Sequence, residues 1–208
     1  MNLLECLIGL ALSLVLVAPL IKNSGEFIVK QIQYEKSQSL TAEADRALEL
    51  IGRAIRMAGY QNAHSSITST RNNTLSIDYL QVQKSNGYRG SDSLIVKHEI
   101  SPKVDFDCIG NTLSKERTKH NLAQQGFLVG RQASAPKGAK VNGGSLVCQS
   151  LDRQGRIQNT TLMNGIHHLS FEPLPASAGK AFKVKLEMTD GVSIHQKFER
   201  IFTTRNLP

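Results

Sequence analysis

At 208 residues the chain has the length of one or two domains and enough material for a real core. It is 40% hydrophobic and 20% charged, with 16 Gly and 6 Pro, which excludes a collagen-like, low-complexity or disordered acidic chain. A mean hydropathy of −0.23 excludes a multi-span membrane protein but not a single apolar segment. The absence of Trp disfavours sugar stacking or an aromatic nucleic-acid platform, and the formal charge of +8 permits DNA, anionic lipid or an acidic protein without selecting among them.

The first segment, residues 1–21, reads MNLLECLIGLALSLVLVAPLI and carries one charge, Glu5. As a helix it spans roughly 30 Å, about the thickness of a hydrocarbon core. A cleaved signal peptide wants a basic n-region and a small-residue cleavage site, and both are poor here. A plain membrane anchor leaves Glu5 unexplained, since a carboxylate in a bilayer costs about 2.5–3.5 kcal/mol on insertion scales and usually has a partner. Glu5 lies four residues from Met1, at the positive end of the helix dipole. A carboxylate placed there can pair with the free amino group of a neighbouring copy of the same helix, displaced along a bundle.

Met1-Asn2-Leu3-Leu4-Glu5-Cys6-Leu7 resembles the mature start of type IV pilins, with a bulky first residue and Glu at position 5. Met1 is a mild departure from the commoner Phe. The basic leader ending in Gly is not in the sequence, so the processed chain is expected. Pro19 removes the hydrogen bond to the Val15 carbonyl and invites a kink; the resemblance implies that helix near such a proline can melt on assembly.

Residues 22–25 are polar, and then Leu40, Ala44, Ala47, Leu48, Ile51, Ala54, Ile55 and Ala58 recur at steps of three and four. That spacing predicts one apolar helix face closed by Gly59, with Glu49 and Arg53 a favourable pair. A helix from Leu3 to Ala58 would be about 84 Å long. Its ending, Arg53-Ala54-Ile55-Arg56-Met57-Ala58-Gly59-Tyr60, is similar to that of PilW-like minor pilins, relatives of the J-type minor pseudopilins of type II secretion. The resemblance covers the first 60 residues; beyond them it is architectural.

The remainder alternates with period two at Leu75/Ile77/Tyr79, at Leu94/Val96/His98/Ile100, at Val104/Phe106/Cys108 and at Phe182/Val184/Leu186/Met188. Val192, Ile194, Phe198 and Phe202 continue the pattern around a polar Gln196. Matching the last two apolar rows predicts a three-residue loop, Thr189 to Gly191, with Met188 opposite Val192 and Gly191 left-handed. The expected fold is α+β: a long N-terminal helix, its first half membrane-embedded, packed on an antiparallel sheet. The divisions are 1–21 as membrane or filament-core helix, 22–58 as its continuation, and 59–208 as a β-rich head with a basic loop region at 111–156.

On the exported side, Cys108 and Cys148 are expected to form a disulfide, and Cys6 to stay a free thiol. Residues 111–156 hold eight basic residues against Glu116 and Asp152. Lys115, Arg117, Lys119, Arg131, Lys137 and Lys140 are a candidate patch for an anionic partner: an acidic subunit, DNA or a cell surface. No catalytic, dinucleotide or metal motif is present. Adjacent His167 and His168 would face opposite ways, one buried and one exposed, while Asp105 and Asp107 would share a strand face without further oxygen ligands. No enzyme activity, cofactor or metal is expected.

The resemblance implies a minor pilin, taking part in type IV pilus assembly or a tip and priming complex, with Met1 and Glu5 as assembly residues. Its partners would be other minor and major pilins, the inner membrane before assembly, and the prepilin peptidase acting on the precursor, which N-methylation accompanies. The head would lie in the periplasm and reach the cell surface in the assembled pilus. The alternatives are a minor pseudopilin of type II secretion and a pilus-borne adhesin or DNA-binding subunit.

Overall fold

The apolar spacing and the glycine stop produce a single helix, α1, Leu3–Met57. It passes through Pro19 without interruption and ends where Gly59 adopts φ 73°, its amide donating to the Lys97 carbonyl at 3.0 Å. The computed structural model describes residues 3–62, 78–119, 121–132, 143–175 and 180–207, without the side chains at 3, 5, 14, 16 and 18–20. The chain divides into two compact units, Met1–Ser39 and Leu40–Pro208.

Among the described residues of the second unit seven strands follow in chain order: β1 Leu80–Gln83, β2 Ser93–Glu99, β3 Leu122–Arg131, β4 Gly144–Leu151, β5 Ile157–Leu174, β6 Ala181–Thr189 and β7 His195–Thr203. Each pairs antiparallel with the next, so the sheet is an up-and-down meander in the order β1 to β7. The α+β class is therefore as the sequence implies. The expected helix face, from Leu40 through Ala58, is buried at all eight positions. It closes on Leu94, Val96, Phe127, Leu146, Ile166, Leu169, Phe171, Val184 and Leu186 of the sheet. Neither surface could be hidden from water alone.

β5 is long because it serves two neighbours. Residues 157–166 pair with β4 and residues 166–174 with β6, with a bulge between Ile166 and His168. Gly165, at φ 79°, makes the change of direction: a Cβ there would stand 2.8 Å from the Thr189 carbonyl oxygen.

Several expectations are corrected. The region 111–156 is not a loop; it contains β3 and β4, whose buried positions are interleaved with Gly126, Gly130, Gly144 and glutamines and so lack a clean alternation. Val104/Phe106/Cys108 is not a strand. The Asp107 carboxylate accepts from the amides of Ile109 and Asn111 at 3.0 and 2.8 Å, turning the chain there, and only a single bridge, Phe106 to Thr112, is formed.

The β6–β7 connection spans Asp190 to Ile194 rather than three residues, because Asp190 Oδ1 accepts from the amides of Val192, Ser193 and Ile194, each at 2.9 Å. Met188 consequently faces Gln196, and Leu186 faces Phe198. Gly191 is left-handed as expected, at φ 82°. Glu49 pairs with Arg56 at 3.0 Å, two turns on, instead of Arg53. Leu75 and Ile77 lie outside the described residues, and Tyr79 immediately precedes β1.

Candidate functional site

Between residues 4 and 34, α1 exposes Leu4, Leu7, Ile8, Leu10, Leu12, Val15, Val17, Ile21, Phe27, Ile28, Val29, Ile32 and Tyr34. Successive positions such as 7 and 8 cannot share one stripe at 100° per residue, so between Leu4 and Ile21 the exposed apolar side chains point to more than one side of the helix. Beyond the polar residues 22–26 a second set of exposed apolar side chains, Phe27, Ile28, Val29, Ile32 and Tyr34, is interspersed with Lys30, Gln31 and Gln33, past Ile21 where the first segment ends. Its signal was there, a Phe-Ile-Val triplet between Glu26 and Lys30. Among the described residues no helix is long and apolar enough to cross a membrane. Met1 and the Glu5 side chain, the expected assembly residues, lie outside the described part, as does the Pro19 ring. Cys6 is an exposed free thiol.

The expected disulfide joins Cys108 to Cys148, Cα to Cα 6.1 Å, across a separation of 40 residues. Both cysteines are buried, and the bond ties the 101–113 loop to the middle of β4.

The six-residue basic patch is divided. Lys115, Arg117 and Lys119 lie in the loop that precedes β3, whereas Arg131 ends that strand. Ten residues of β3 put Arg131 about 30 Å from Leu122. Arg117 is turned inward: its Nη1 donates to the Leu151 carbonyl at 3.3 Å and stands 3.8 Å from Asp107 Oδ2. Lys137 and Lys140 lie outside the described residues. In compensation, the β4–β5 turn brings Arg153 and Arg156 next to the Lys115–Lys119 loop; a Cβ on Gly155 would be 3.3 Å from the Thr118 carbonyl oxygen.

Asp105 and Asp107, expected to share a strand face, lie outside the strands and are each engaged locally. Asp107 is spent on backbone amides, the Asn111 side chain and Arg117, while Asp105 accepts from the Ser101 amide at 2.8 Å. His167 and His168 are both half-buried, because the bulge at that point breaks strict alternation. His167 meets His195 edge to face at 5.3 Å, and Arg89 Nη1 lies 3.3 Å from its Nδ1. No group of three or more His, Cys, Asp or Glu among the described residues could hold a metal ion.

Two polar sites escaped the sequence reading. Asp92, 5% exposed, closes the edge of β5 that β4 leaves open. Its carboxylate accepts from the Phe171 amide at 2.9 Å, the Ser85 amide at 3.1 Å and Lys84 Nζ at 2.8 Å, while its own amide donates to the Leu169 carbonyl at 2.8 Å. Lys84 also donates to the Phe171 carbonyl. Burial acts to raise the Asp92 carboxyl, but Lys84 and the two amides outweigh it and hold the pKa below the usual range.

Among the described histidines His98 is the buried one. Its Nδ1–H donates to the Glu99 carbonyl at 2.9 Å and its Nε2 accepts from Gln125 Nε2 at 3.3 Å. That amide also reaches the Phe106 carbonyl at 3.4 Å. Burial, aided by the Arg53 charge, lowers the imidazole pKa against the opposing pull of the Glu99 carbonyl and Asp105.

Searches against protein-family models, curated proteins and solved structures find no match to this chain.

Proposed function

We propose that the chain is an assembly subunit of a type IV pilus, a minor, PilW-like pilin. The observation that carries this reading is the exposed apolar stretch of α1 between Leu4 and Ile21, followed beyond the polar residues 22–26 by exposed Phe27, Ile28, Val29 and Ile32. Such a surface calls for lipid or other helices, and a filament core supplies the second. The sequence adds Glu5 as the only charge among the first 21 residues. In lipid or in a helix bundle a lone carboxylate needs a cation, and the amino terminus of an adjoining subunit is the partner its position favours. The antiparallel sheet at the other end of the chain, packed on Leu40–Ala58, is an architecture suited to a pilin head.

On this reading the subunit is held in the inner membrane before assembly, with the head in the periplasm, and reaches the cell surface in the pilus. Prepilin peptidase would process its precursor, and other minor and major pilins would be its neighbours. Its role is assembly rather than catalysis.

Replacing Glu5 tests the proposal. Glu5→Val should leave a folded, membrane-held chain with at least about a tenfold loss of co-purification with partner pilins, the loss of one buried ion pair. Undiminished co-purification would refute the pairing.

A further inference from the structure

We propose that the end of the sheet formed by the 101–113 loop, the Lys115–Lys119 loop and the β4–β5 turn docks onto an anionic phospholipid bilayer. Three apolar side chains project there into solvent: Val104 at 65%, Phe106 at 42% and Ile157 at 58% exposure. Around them stand the exposed cations Lys115, Lys119 and Arg153.

One half-buried residue holds the pieces together. Arg117 bonds the carbonyl of Leu151, which faces Ile157 across the β4–β5 ladder, and pairs with Asp107, the neighbour of Phe106. The disulfide fixes the same loop to β4. The apolar tips are therefore presented on a stapled platform. Of the local acids, Asp107 is buried and paired with Arg117, Asp152 is bonded to Arg156 at 2.9 Å, and Asp105 accepts from the Ser101 amide, which leaves Glu116 exposed.

The chemistry selects the partner. Projecting aliphatic and aromatic tips ringed by lysine and arginine are what an interfacial lipid contact uses: the tips enter the headgroup boundary and the cationic groups meet phosphates. Nucleic acid would call for stacking aromatics in a groove, and a protein interface favours arginine and aromatics over lysine at its core. This inference stands apart from the pilus reading, since none of these residues belongs to the N-terminal helix.

The chain has no Trp, so Phe106→Trp creates a sole reporter. The full chain is held in neutral phosphatidylcholine nanodiscs, which occupies its apolar helix, and phosphatidylglycerol vesicles are added at low salt. A blue shift of the emission is expected, absent with phosphatidylcholine vesicles. The combined variant Lys115→Glu, Lys119→Glu and Arg153→Glu should weaken it by more than about tenfold. Ile157→Trp repeats the measurement should the first reporter fail to fold. The proposal falls if neither reporter shifts, if both vesicles act equally, or if the charge-reversed variant responds unchanged. It falls equally if duplex DNA or polyglutamate shifts the reporter more strongly than the vesicles, since the surface would then serve another class of partner.

Discussion

The ring of Phe202 occupies the space that a side chain on Gly52 would need: a Cβ there would lie 2.2 Å from Cε1 and 2.6 Å from Cδ1. Gly52 is an interior helical residue where alanine would ordinarily help by about 1 kcal/mol. Here β7 comes close enough for Phe202 to lie against bare backbone, with Arg56 over its ring at 5.8 Å. Overpacking costs of about 1–3 kcal/mol exceed the propensity gain. Gly52→Ala is therefore expected to lower the urea midpoint. Phe202→Leu in the same chain should recover part of the loss, giving a coupling that a double-mutant cycle detects.

The same pair marks what the sequence could and could not disclose. The buried helix face was legible from Leu40 to Ala58 because a 3.6-residue period survives any tertiary context. β6 was legible because its lysines alternate with apolar residues on a sheet whose other face meets water. β3 and β4 were not, since glycines and buried polar groups such as Gln125 and Ser145 interrupt their pattern. Val104 to Cys108 misled for the converse reason: its alternation is genuine, yet Asp107 spends its carboxylate turning the chain. Arg200 interrupts the apolar row of β7 because it reaches Asp45 of the helix at 2.8 Å, a contact 155 residues distant in sequence.

Asp92 makes stability depend on acid. Its carboxyl pKa is lowered in the folded chain, so the unfolded chain binds the proton more readily. The contribution is fully present above the ordinary carboxylate pKa of 3.8 and is lost as pH falls through the lower folded value. Asp92→Asn should cost about 2–3 kcal/mol at neutral pH, the scale of charge-assisted hydrogen bonds with buried donors. It should also flatten the stability curve below about pH 4. Urea titrations at pH 7, 4 and 3 measure both effects, and a parallel offset at all three would deny Asp92 this role.

His98 acts at a higher pH. Its Nε2 is an acceptor for Gln125, so a second proton sets N–H against N–H inside the core. With the folded pKa below the ordinary 6.5, stability is complete above that value. It should fall below it by up to about 1.4 kcal/mol per pH unit, levelling once the folded value is passed. Hydrogen exchange should show the 101–113 segment, bonded to Gln125 through the Phe106 carbonyl, losing protection first. His98→Gln removes the titrating group and should abolish the dependence between pH 7 and 5, whatever it does to stability at pH 7. Persistence of the dependence in that variant would place its origin elsewhere.

The disulfide bears on the same segment. Cys108 and Cys148 are 6% and 0% exposed, so a reductant reaches the bond only when the chain opens. Dithiothreitol alone should leave it intact over hours in which the same reagent in urea reduces it completely. Closing a loop of 40 residues removes denatured-state entropy worth about 4 kcal/mol in the chain-entropy model. The double variant Cys108→Ala, Cys148→Ala should lose stability on that scale, a large share of what a domain of this size possesses. Because Cys148 sits in β4 and Cys108 in a loop closed by its own Asp107 hydrogen bonds, the strands should survive while the loop loosens. Near-native far-ultraviolet dichroism with increased proteolysis confined to residues 101–113 is the expected outcome; collapse of the whole sheet would mean that the bond organises β4 itself.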